Sequence, residues 1–143
     1  MTHQDKGHFA AKHTGRQIDK TITDKIRTVA HDACITCASA HRIGKELNIS
    51  PSEIGIQTDL IEYRISECQL GLFGYDDGKK RINPDIQISP ELNENLEKQN
   101  KEGRISCQEC WNIAKNLKIK RLDISSACEI KNIRIKPCQL GAF

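Results

Sequence analysis

The chain has 143 residues, of which 29% are charged and 37% hydrophobic, and its net charge is +3. That suits one ordinary globular domain or two very small ones, and no apolar run approaches the 18 residues of a membrane span. The opening residues MTHQDKGHFAAKHTGRQ lack the apolar stretch of a secretory signal. A cytoplasmic location is therefore expected, with the seven cysteines as reduced thiols or metal ligands.

In chain order, residues 1–17 read as a charged N-terminal tail. His3, His8 and His13 recur there every five residues and read as solvated, with metal capture as the alternative. Ile22 and Ile26, four apart, mark one face of a first helix. "CIT" at 34–36 is a short apolar link, and Thr36 is a good N-cap for a second helix carrying Ile43, Gly44 and Leu47. Ser50-Pro51-Ser52-Glu53 opens a third helix with a serine cap and proline at the first helical position. "YRISECQLGLF" at 63–73 alternates apolar and polar residues and predicts a short hairpin. A neutral linker, GYDDGKKRINPDIQ, spans 74–87. The order then repeats: Leu92 and Leu96 behind Pro90, "RIS" with Ser106 as N-cap, Ile113, Ala114 and Leu117, a third helix, and "IRIKPCQLGAF".

The repetition is exact in register. Shifting the chain by 70 residues aligns 18–73 with 88–143 without a gap, and 15 of the 56 positions are identical. Each copy closes on the same phrase, CQLGLF at 68–73 and CQLGAF at 138–143. The phrase reads as structural closure of its own copy, with Leu70 and Leu140 pointing inward beside that copy's second helix. Charge divides the copies: 88–143 has ten Lys/Arg against seven Asp/Glu, whereas 18–73 has six against eight. Any grip on phosphate should favour the second copy.

The stretches IGKELNISPSEIG and IAKNLKIKRLDIS resemble the winged helix-turn-helix superfamily. Gly44 and Ala114 stand where a small residue lets two helices approach, Ile49 and Ile119 where an apolar residue fills the turn, and Ile54 and Ile124 where one anchors the third helix. The resemblance implies a mainly α fold with short β hairpins, built as two tandem winged-helix repeats. It also implies double-stranded DNA as partner, in transcription regulation, with each third helix in a major groove. Lys115, Lys118, Lys120, Arg121 and Arg134 are then phosphate contacts in the second copy, and Ser125 and Ser126 reach bases. In the first copy Lys45 and Arg64 contact phosphate, while Ser50, Ser52, Gln57 and Thr58 are the polar readers. The rival reading is a protein- or RNA-interaction adaptor, which the acidic first copy suits.

The cysteines raise a third reading, a metal or redox sensor. Cys34, Cys37, His41 and Cys68 would form one set, and Cys107, Cys110, Cys128 and Cys138 another. The repeat register argues against it. Cys37 aligns with Cys107, so Cys34 faces Arg104 and Cys110 faces Ala40, and the two C-x-x-C pairs extend in opposite directions. Packing as small buried hydrophobes is the plainer role. No phosphate loop, nucleophile elbow or carboxylate pair is present, so neither catalysis nor a cofactor is expected.

Overall fold

The computed structural model describes residues 8–143. It is mainly helical, with a few two- and three-residue strands. His3 lies outside the described residues. The chain divides into two compact units.

Unit 1 holds the described residues up to Cys68, together with Phe73–Gly78 and Leu140–Phe143. It begins with a 3-10 turn at Phe9–His13, followed by α1 (Lys20–Val29), β1 (Cys34–Thr36), α2 (Cys37–Leu47), α3 (Pro51–Leu60) and β2 (Arg64–Ser66). The expected caps form. Asp19 accepts from the amides of Thr21 and Ile22, Thr36 from Ser39, and Ser50 from Glu53, which satisfies amides that have no partner inside the helix. Between α2 and α3 the chain reverses through Asn48, left-handed at φ 56°, and the Ile49 amide donates to the Gly44 carbonyl. A Cβ on Gly44 would lie 2.8 Å from the Ile49 carbonyl oxygen, so a small residue is required at this crossing. Ile22, Ile26, Ile35, Ile43, Ile54 and Ile65 form the core.

Unit 2 comprises Gln69–Leu72 and Lys79–Gln139. It repeats the order with α4 (Pro90–Gln99), β3 (Arg104–Ile105), α5 (Cys107–Leu117), α6 (Arg121–Ile130) and β4 (Arg134–Ile135). Ser89 and Ser106 cap α4 and α5, and Pro90 occupies the first turn of α4. Leu70, Leu92, Leu96, Ile105, Ile113 and Ile124 are its buried aliphatics.

Two expectations are corrected. The alternating segments 63–73 and 133–143 do not form hairpins. Each supplies one short strand that pairs in parallel with the strand before the second helix, β1 with β2 and β3 with β4. Among the described residues there is no antiparallel wing. The second correction concerns the closing phrase. Residues 69–72 belong to unit 2 and Leu140–Phe143 to unit 1, so part of each phrase packs in the unit of the other copy, while Cys68 and Phe73 stay in unit 1 and Cys138 and Gln139 in unit 2. In unit 1, α3 has glycine at position 55, where a Cβ would fall 1.7 Å from the Leu140 carbonyl oxygen. Phe143 stacks edge-on against Phe73, with ring centroids 5.8 Å apart. In unit 2, Gly71 lies against Leu122 of α6 and Arg81. The tail and linker are likewise parts of units, not free connectors: 8–17 packs in unit 1 and 79–87 in unit 2.

Candidate nucleic-acid interface

Four of the six base-reading side chains expected at the third helices are buried, while Ser50 and Ser52 at the start of α3 are exposed. Gln57 is 1% exposed and Thr58 0% in α3, and Ser125 is 1% and Ser126 0% in α6. Their polar atoms are satisfied inside the units. Gln57 donates to the Gln17 carbonyl and to Glu53 Oε2, and accepts from the Asp19 amide. Thr58 Oγ1 donates to the Ile54 carbonyl. Ser126 Oγ donates to the Leu122 carbonyl and accepts from the Asn83 amide, while Ser125 Oγ also donates to the Leu122 carbonyl. Both third helices are therefore central packing elements, covered by the chain that precedes each copy's first helix, and of the expected readers only Ser50 and Ser52 remain at the surface.

In unit 1 the covering segment is a strap. Glu62 accepts from the amides of Phe9 and Ala10 at 2.8 and 2.9 Å, and Phe9 is buried. Lys12 Nζ and His13 Nε2 meet Asp59 Oδ2 at 3.2 and 2.8 Å, and Arg16 pairs with Glu53. The Glu62 carboxyl is held below its ordinary value by the Ala10 amide, with the Phe9 amide adding to it. The Gln57 side chain lowers Glu53 in the same way, assisted by Arg16.

What remains exposed is the turn between α5 and α6. Lys115, Lys118 and Lys120 are all exposed, as is Arg134, and none of the four forms an ion pair among the described residues. Lys118 is the left-handed cap of α5 at φ 57°, its amide donating to the Ala114 and Lys115 carbonyls. Lys120 occupies the N-cap of α6 and supplies no side-chain cap. Arg121 is partly committed: its guanidinium stacks 3.6 Å above the Trp111 ring, and Nη1 donates to Gln69 Oε1 at 3.1 Å. Lys45, Ser50, Ser52 and Arg64 are exposed on unit 1.

With the unit borders as they fall, charge separates further than the copies suggested. Unit 2 carries thirteen Lys/Arg against eight Asp/Glu, net +5. The described part of unit 1 carries eight against ten, net −2. Lys79, Lys80 and Arg81 fall in unit 2, and Asp76 and Asp77 in unit 1.

The cysteines are thiols. Cys37, Cys68, Cys107, Cys110 and Cys128 are buried, and Cys34 and Cys138 half-buried. Among the described residues no group of three or more His, Cys, Asp or Glu side chains is placed to hold a metal ion. The thiol of Cys110 is pushed far up by its hydrogen bond with Cys128 and by burial, so it stays protonated and unreactive. The aligned positions in unit 1 are Ala40 and Thr58, both fully buried, as a packing role requires.

No protein-family model, curated protein or solved structure matches the chain. No helix among the described residues is long and apolar enough to cross a membrane.

Proposed function

We propose that the chain binds double-stranded DNA through the sugar-phosphate backbone, using the α5–α6 turn of unit 2. The observation that carries this reading is the choice of residue at two backbone positions. Unit 1 places Asn48 at the left-handed cap and Ser50 at the N-cap, the residues each geometry favours. Unit 2 places Lys118 and Lys120 at the same two positions, where a lysine in the left-handed cap and an uncapped helix start each sacrifice stability. Positive charge is what those substitutions add. With Lys115 on the preceding turn, they form an exposed cationic group on the unit of net +5, as backbone contacts require.

The helix-turn-helix arrangement of α5 and α6 supports the resemblance to winged helices only to that extent. Of the six expected base readers, Gln57, Thr58, Ser125 and Ser126 are buried, and only Ser50 and Ser52 are exposed. The reading is therefore backbone binding with little discrimination among base sequences. Fluorescence anisotropy with two unrelated duplexes tests it. Affinities within severalfold of each other and weakening with salt are expected, whereas salt-independent binding or none refutes it. The net −2 of unit 1 favours a second role for that unit, contact with a basic protein partner.

A further inference from the structure

Unit 2 carries a second set of cations, separate from the α5–α6 turn. Lys101, Arg104 and Lys136 line an open depression of about 560 Å3, together with Ser106 and the carboxylates of Glu102 and Glu109. The parallel register of β3 with β4 sets Arg134 directly beside Arg104. All four cations are exposed, and none forms an ion pair among the described residues.

The fold does not need them. Unit 1 has the same parallel strand pair in the same register, and its corresponding residues are His31, Cys34, Arg64 and Ser66. Three of the four cations are thus peculiar to unit 2. The four cations outnumber Glu102 and Glu109, which leaves a positive excess around the depression that a bound anion would offset. Arginine's planar fork matches phosphate oxygens, and a lysine ammonium adds a point charge. Glu102 and Glu109 supply acceptors on the same surface, which suits a ligand with hydroxyl groups next to its phosphate.

We propose that this depression binds the phosphate group of a hydroxylated ester, with Arg104 and Lys136 holding the phosphate and Arg134 and Lys101 adding charge. The phosphate comes either from a small sugar phosphate or from a nucleic-acid backbone, and the site does not depend on the α5–α6 turn. The test is an NMR titration of the full chain with ribose 5-phosphate and, in a separate arm, with a short DNA duplex. Saturable shifts of the Arg104, Ser106 and Lys136 amides are expected. The double variant Arg104→Ser, Lys136→Ser should weaken them at least about tenfold, since each lost contact is a charge-assisted hydrogen bond. The variant Lys118→Asn, Lys120→Ser should leave the ribose 5-phosphate shifts unchanged, which separates this site from the DNA reading. Shifts with ribose 5-phosphate assign the site to a small ester, and shifts with the duplex alone assign it to backbone phosphate. No saturable shift with either probe, or equal shifts in the double variant, overturns the proposal.

Discussion

Leu140 belongs to the second copy in sequence but to unit 1 in space, so replacing it should damage the first copy. It is 2% exposed. Truncating a buried leucine to alanine costs about 3 kcal/mol once the cavity is included, which is roughly a hundredfold increase in the opening of the structure around it. A unit of this size has little reserve against such a loss. Native-state amide exchange resolves where the loss falls. In Leu140→Ala, α3 should lose protection while α5 and α6 keep theirs. Leu70→Ala, at a residue 0% exposed in unit 2, should show the converse pattern. Gly55→Ala should resemble Leu140→Ala, because the new Cβ would stand 1.7 Å from a backbone oxygen of Leu140 that cannot swing aside. Lost protection in α5 and α6 with α3 untouched in Leu140→Ala would refute the exchange of phrases.

Lys118→Asn and Lys120→Ser should each stabilise the protein by about 0.5–1 kcal/mol, through left-handed tolerance and an added cap respectively. Urea denaturation checks this, and a lower midpoint in either variant contradicts it. The strap should respond to acid. Glu62 has its folded pKa depressed from an ordinary 4.5 by the Ala10 and Phe9 amides, so its contribution is fully present above about that pH. It is lost as pH falls through the depressed value, and exchange of those two amides should accelerate there. Glu62→Gln should blunt the response, and amide protection that is flat across this range would contradict it.

Much of the local structure was legible because it depends on residues close in sequence. Thr36, Ser50 and Ser106 cap the helices the sequence assigns them, Pro51 and Pro90 start helices, and Gly44 and Ala114 sit at the helix crossing. Ile54 and Ile124 are fully buried anchors. Long-range partners were not legible. Alternation in 63–73 and 133–143 marks a strand but does not say with what, or in which direction, it pairs. Identical phrases at equivalent positions look alike whichever unit they close. Gln57 and Ser126 are polar, as readers would be, but their hydrogen bonds run to Gln17, Asp19 and Asn83, residues far along the chain. One signal was available and points to the depression in unit 2: Arg104 stands where the first copy has Cys34.

On the proposed function, the exposed lysines of the α5–α6 turn neutralise DNA phosphates. Its most direct test is the salt dependence of duplex affinity for the wild type and for Lys115→Ala, Lys118→Asn, Lys120→Ser. Two of these changes install the residues that unit 1 uses, so the variant should remain folded. Each phosphate contact contributes about 0.9 to the slope of log affinity against log salt. The slope should fall by about 2–3 in the triple variant, with weaker binding to every duplex. An unchanged slope would contradict it.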